Sequence, residues 1–401
     1  LIVSLINKFM KSHLPLFAFV FVILISCSEK GANSEKRAYT NDFTEVGQVK
    51  LEIDSLSDFN FPEFQVIQEG EKDLLLVMNK VNFSFDFYDL ASGERLKRTA
   101  IQKDEKYPIP ALYGFWYHNA DSIFLFRQML LNSITLINGE GEIVTQYSPQ
   151  KIDRSSPQAM MKSMVNHYSR STNPTLYDDG KLYFSDMTLN GFLSSSEAME
   201  EFRPAVLVDL ESNEVQVLDH FRMPDYYRGK TWPMDMGNYS RIKQSNQWVY
   251  AWAGMDSILV YDENMDLIKS VNAKSEFAKP LKFTSGSNLP KDIQVQERVS
   301  QTTYSYIFHD PYREVYYRFV NIGRDMDESD SEDQFPHLKN DFSIIVLDKD
   351  FNILTEKRFP GKIHYPYKSF VGEKGLYLSR TNPFYEGLNE DEVVYDVLEF
   401  R

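Results

Sequence analysis

Short apolar runs punctuated by Asp, Asn and Gly recur along most of the chain. Phe87-Tyr88-Asp89-Leu90 leads through Gly93 to Glu94-Arg95-Leu96, and Leu136-Ile137-Asn138-Gly139 leads through Gly141 to Glu142-Ile143-Val144. The same phrase returns at Leu207-Val208-Asp209-Leu210 with Asn213, at Val260-Tyr261-Asp262-Glu263 with Asn264, and at Val346-Leu347-Asp348-Lys349 with Asp350. Each time an apolar strand ends in Asp or Asn and another resumes within a few residues. These are hairpin residues, because they tolerate left-handed backbone angles or hydrogen-bond their own backbone.

Another strand precedes each of these hairpins, and a sixth lies near the C-terminus. The six begin at Leu74, Ile123, Leu182, Trp248, Val315 and Leu376, so they lie 49, 59, 66, 67 and 61 residues apart. A repeated unit near this period is the signature of propeller blades of four strands, with the excess length in insertions. Polar or loop-like segments at 150–170, 190–202, 274–297 and 323–340 supply that excess. The chain ends on the strand Val393–Phe400 with no outer strand after it, while Val46–Ile53 alternates like a strand without a blade of its own. Pairing the two would close the ring and remove its open edges. The predicted fold is therefore all-β: a six-bladed β-propeller over 43–401 with an N-terminal closing strand. A β-sandwich or two β-domains built from similar hairpins is the alternative.

The N-terminus reads differently. Leu14–Ser26 is an apolar run of 13 residues behind Lys8 and Lys11, the layout of a secretory signal and short for a spanning helix. Leu24-Ile25-Ser26-Cys27 resembles the lipobox of bacterial lipoproteins, which implies lipid attachment at Cys27, the only cysteine. Residues 28–42 are small and polar and read as a flexible tether. Expected boundaries are thus 1–27 for signal and lipobox, 28–42 for tether and 43–401 for the propeller. Ser28 in place of Asp implies, by the same resemblance, the outer membrane, on either its periplasmic or its surface face.

Composition sharpens this picture. An aromatic content of 14 % favours strands. A net charge of −15 argues against nucleic acid as a partner and against binding an anionic bilayer by charge, leaving the lipid as the membrane link. A single cysteine forms no disulfide within the chain.

Linear catalytic motifs are missing: no zinc helix, no nucleophile elbow, no phosphate loop and no Cys/His cluster. Neither a metal nor a cofactor is expected. The acidic run Asp325–Asp333 lacks the Gly and Glu of a calcium loop and reads as a solvated loop. Aligning the six recurring strands brings Asn79, Arg127, Asp186, Trp252, Arg318 and Arg380 into register at their ends. Taken as inner strands, they would place these residues around the central channel. There the arginines would grip a carboxylate, phosphate or sulfate, and Trp252, Trp116 and Tyr117 would stack on sugars or peptides. The alternative is that each arginine pairs with an acid of a neighbouring blade. His309 joins the candidate ligand-binding residues, and Asp186, His309 and Asp310 are the acid–base candidates should the protein be an enzyme.

The lipobox, the aromatic hairpins and the segment Phe308–Arg318 resemble an uncharacterised family of Bacteroidota lipoproteins, a domain of unknown function with a six-bladed propeller. The resemblance implies fold and location and brings no activity. Three functions remain open: an envelope module binding an anionic small ligand, glycan, peptide or envelope protein; a hydrolase or lyase on glycans or peptides; and a scaffold subunit of an outer-membrane complex.

Overall fold

The computed structural model describes residues 42–401 apart from 110–111, 128–129, 166, 168, 187–199, 201, 231, 234 and 282–288. The signal-like segment, Cys27 and the tether through residue 41 lie outside the described residues, as does most of the 190–202 insertion.

Six antiparallel sheets of four strands each follow one another along the chain. Blades 1 to 5 span 64–100, 114–147, 176–217, 239–272 and 303–359. Blade 6 takes three strands from 370–400 and its fourth from the N-terminal strand Phe43–Glu52, which pairs antiparallel with Glu392–Phe400 from Phe43↔Phe400 to Glu52↔Glu392. The predicted closing strand is present. It closes the ring non-covalently, so the two ends of the propeller sequence stabilise each other.

Five hairpins between third and fourth strands show why the repeated Asp or Asn is there. The Oδ1 atoms of Asp89, Asn138, Asp209, Asp262 and Asp348 each accept two backbone N–H groups from the turn that follows. Each side chain replaces bonds the turn backbone would otherwise seek from water. In two of the turns the left-handed residue falls one position beyond the Asn or Asp of the sequence pattern, at Met265 (φ 65°) and Phe351 (φ 68°). Both side chains are buried, Phe351 stacking on Tyr316 at 4.6 Å, so packing offsets the backbone strain.

The core lies between blades. Leu74, Leu76 and Met78 pack with Phe115, Ile123 and Leu125 of blade 2, while Leu75 and Val77 on the opposite face pack with Tyr377, Val393 and Tyr395 of blade 6. This period-two division repeats, giving one apolar cluster to each of the six blade interfaces. First strands of successive blades contact one another and so face the axis.

Strand direction alternates, so all first-to-second and third-to-fourth turns lie at one end of the ring, and these are short. Second-to-third and blade-to-blade connections lie at the other end. They include the long segments 148–175, 218–238, 273–302, 322–341, 360–369 and 380–391. The inferred insertions that the structure describes, within 150–170, 274–297 and 323–340, thus lie at one mouth of the channel.

Candidate functional site

That mouth holds a cavity of about 530 Å³ lined by blades 2 to 6, continuous with an inner lobe of about 200 Å³ over blades 5 and 6. Arg170, Arg298, Ser305, Tyr306, His337 and Tyr367 line both. They come from the long connections and from the start of the first strand of blade 5.

Each group is held by neighbours. The guanidinium of Arg170 lies against the rings of Tyr113 (5.8 Å) and Tyr367 (5.0 Å). Arg298, on the helix Lys291–Ser300, pairs with Asp235 at 2.8 Å. Asn173 donates to the Tyr239 carbonyl at 2.6 Å and accepts from Ser185, fixing its amide. Burial, with a further push from the Arg298 charge, depresses His337 to a pKa of about 3, so its ring is neutral at pH 7. Tyr306 stacks obliquely on Tyr367 at 5.9 Å, and burial raises its phenol far above the usual range. Two guanidinium groups, Arg170 and Arg298, and the carboxylate of Asp235 line the cavity, and five tyrosines, Tyr113, Tyr239, Tyr306, Tyr365 and Tyr367, give it aromatic walls. Among the described residues no three His, Cys, Asp or Glu side chains converge to hold a metal ion.

The residues singled out from the sequence lie elsewhere, because the recurring apolar strands are the second of each blade, one position back from the axis. None of the six candidates lines either part of this cavity. Arg318 is fully buried and donates to the carbonyls of Met255, Asp256, Ser257 and Ala273, clamping blade 5 to blade 4, with Tyr304 at 4.2 Å beneath it. Its partners are backbone carbonyls where the alternative reading expected an acid. Trp252 is buried in the aromatic cluster of blade 4, 4.8 Å from Tyr239, and so supports the cavity wall from behind. Arg127 and Asp186 meet at buried His167, whose Nε2 donates to the Arg127 carbonyl and whose backbone bridges Asp186. Asn79 bonds Asp86 and the Leu56 carbonyl.

Arg380 holds Asp396 through Nε at 2.8 and 2.9 Å; Asp396 in turn bonds His364 at 2.8 Å, and His364 lines the inner lobe. Arg380 therefore reaches the site through a relay. His309 and Asp310 end the first strand of blade 5 at the opposite, short-turn end. Asp310 accepts from Tyr312 N, Arg313 N, Arg313 Nη1 and Tyr317 Oη. His309 meets Gln244, and burial lowers its pKa. Asp186 is thus separated from His309 and Asp310, and the three form no acid–base set.

The acidic run is also more ordered than a solvated loop. Asp330 is fully buried and bonded by Arg324 and Lys339, and Asp327 caps the short 3-10 turn Glu328–Ser331.

Sequence reasoning missed Arg170, Arg298, His337, Tyr306 and Tyr367. Their signal was insertion length: four of the five sit in the long connections and the fifth just after one.

The crystal structure of a DUF4221 member from Bacteroides vulgatus superposes with a TM-score of 0.76 at 22 % identity, covering 91 % of this chain and 99 % of that one. A candidate exported protein of Bacteroides fragilis superposes with a TM-score of 0.50 at 11 % identity, covering 91 % and 97 %. No curated protein matches the chain. The family profile described as Domain of unknown function (DUF4221) matches residues 41–358, from the closing strand almost to the end of blade 5. The chain belongs to the DUF4221 family.

Proposed function

We propose that this protein is a binding module of the cell envelope, and that its ligand is a small polar molecule carrying a negative group, held in the cavity at the long-connection mouth. The observation that carries the reading is convergence. Connections from five blades, each longer than its hairpin needs, meet over one concavity lined by Arg170, Arg298 and a ring of tyrosines. Concave sites with aromatic walls and a few placed polar groups are the usual form of small-ligand sites.

An envelope location draws on the signal-like N-terminus with its lipobox-like segment at Cys27 and on the similarity to a candidate exported protein of Bacteroides fragilis. Attachment geometry is compatible with it. The chain enters the propeller at Asp42, whose carbonyl accepts from Arg401 N at 3.0 Å, on the short-turn end. A scaffold role in an outer-membrane complex is the second reading. Its separate support is the fold, since propellers present several connections on one face.

Ligand panels of acidic sugars, neutral sugars, amino acids, peptides and inorganic anions, read by thermal shift on the detergent-solubilised chain, test the proposal. A ligand at 100 times its Kd should stabilise the protein by about 2.7 kcal/mol. Ser305→Trp, which fills the cavity from a half-buried position, should abolish that shift. A ligand that stabilises both proteins equally places binding elsewhere, and a panel without any shift favours the scaffold.

A further inference from the structure

Two opposite charges stand side by side on the cavity wall. Arg298 and Asp235 both line it, and Arg298 Nη2 meets Asp235 Oδ2 at 2.8 Å. Their side chains are 31 % and 34 % exposed, so neither is sealed into the wall. Among the described residues the Arg298 guanidinium has no second acceptor, and Asp235 Oδ1 has only Asn238 Nδ2 at 3.4 Å. Both groups therefore keep bonding capacity for a guest.

Each is held in place through the residue next to it. Arg298 lies in the last turn of the helix Lys291–Ser300, and the carbonyl of its neighbour Val299 accepts from Asn340 Nδ2 at 2.8 Å and Arg324 N at 3.1 Å. Asp235 has φ 71°, and the carbonyl of its neighbour Met236 accepts from Tyr227 Oη at 2.8 Å and Gly254 N at 3.1 Å. A left-handed non-glycine residue locked by its surroundings is a conformation that binding sites retain. A pair fixed in this way loses little freedom when a ligand arrives.

The pair also dictates what that ligand carries. A lone anion drawn to Arg298 meets the Asp235 carboxylate beside it, and a lone cation drawn to Asp235 meets the guanidinium. A molecule with an ammonium and a carboxylate side by side complements both. In an α-amino acid the two groups share one carbon and have that adjacency, whereas the two termini of a peptide are separated. The remaining charges leave this balance in place. Burial depresses His337 to a pKa of about 3, so its ring adds no charge at pH 7. Burial raises the Glu63 carboxyl, and the charges of Lys80 and Arg170 oppose that rise, so Arg170 is already engaged by an acid outside the cavity lining. Phe335 lines both parts of the cavity with 38 % of its surface exposed, as Tyr306 and Tyr367 also line both. Uncovered ring surface of this kind gains by packing on another ring.

Building on the binding role proposed above, we infer that the cavity is a site for a free α-amino acid with an aromatic side chain, its carboxylate on Arg298, its ammonium on Asp235 and its ring against the aromatic wall.

Titration calorimetry of the detergent-solubilised full chain with L-phenylalanine, hydrocinnamate, phenethylamine and L-alanine tests it. L-phenylalanine should bind more tightly by about tenfold or more than hydrocinnamate, which lacks the ammonium, than phenethylamine, which lacks the carboxylate, and than L-alanine, which lacks the ring. Asp235→Asn keeps a residue that tolerates the left-handed backbone. It should bring L-phenylalanine down to the level of hydrocinnamate with little change in melting temperature, since partly exposed ion pairs contribute little. Hydrocinnamate binding as tightly as L-phenylalanine, and lost in Ser305→Trp, would overturn the zwitterion assignment and leave the cavity as an anion site. L-alanine binding as tightly would overturn the aromatic side chain. L-phenylalanine giving neither heat nor thermal stabilisation at millimolar concentration would overturn the amino acid; the cavity would still stand if another ligand of the panel stabilised the parent but not Ser305→Trp. Full retention of L-phenylalanine binding by Ser305→Trp would overturn both this assignment and the site itself.

Discussion

The two ends of the propeller put the same residue types to different uses. At the short-turn end, polar side chains are used up in structure. Asp310 takes four donors, and Asp73 accepts from Tyr312 Oη of blade 5 and Glu373 N of blade 6, tying three neighbouring blades together beside the closing strand. At the long-connection end some polar groups are spent in the same way, Arg318 on four carbonyls and Asp330 on Arg324 and Lys339, while Arg298, Ser305 and Tyr306 line a cavity. A satisfied buried group stabilises the fold, and a group on a cavity wall is left to meet a ligand. The difference lies in the cavity: polar bonds lace both ends, and one of them also has room for recognition.

The sharpest test removes the busiest acceptor. Asp310→Ala leaves the Tyr317 hydroxyl buried without its acceptor and Arg313 with the Glu373 carbonyl at 3.1 Å and Glu399 at 3.4 Å. Loss of a buried, multiply bonded carboxylate costs about 3 kcal/mol. Urea denaturation should show that loss, with affinity for any cavity ligand unchanged. A loss below about 1 kcal/mol would mean that polar lacing at this end contributes little, since single surface changes alone span that range.

How far this division could be read from the sequence follows from burial. Second and third strands are covered on both faces, as in Leu74–Asn79 and Ser84–Asp89, so they are the most apolar segments and repeat most visibly. That made the blade count and the turn residues legible, and with them the closing strand. First strands face the channel and are uneven, from the three-residue Leu176–Asp178 and Phe370–Gly372 to the eight-residue Thr303–Asp310. Their period is faint, so the visible strands stood in for inner ones and the candidate site was drawn one strand too far from the axis. The register argument did find residues of structural importance: Arg318 clamps two blades and Arg380 orients His364 through Asp396. Arg170, Arg298 and His337 belong to connections whose sequence shows no repeat, which is why spacing could not find them.

Acid should separate the two ends next. Burial depresses His167, which supports the long-connection end, to a pKa of about 4 against 6.5 in the unfolded chain. The unfolded state then binds the extra proton between these values. Its contribution is therefore complete above about pH 6.5 and is lost as pH falls toward 4, amounting to about 3 kcal/mol for this one ring. Denaturation midpoints at pH 7 and pH 4.5 should diverge less in His167→Gln than in the parent, because glutamine has no proton to gain. Equal divergence in both proteins would show that other groups carry the acid sensitivity.

The smallest change should come from the cavity wall. Tyr367 Oη makes no hydrogen bond, so Tyr367→Phe removes no interaction from the folded chain and keeps the ring against Tyr306 and Arg170. Stability should stay within about 0.5 kcal/mol of the parent, the range of a neutral substitution. Any gain would come from no longer burying an unsatisfied hydroxyl. Affinity for a cavity ligand should hold as well, because the hydroxyl is buried in the wall and the ring that lines the cavity is kept. A clear fall in melting temperature would reverse the assignment for this residue: Tyr367 would belong with Asp310 as part of the framework.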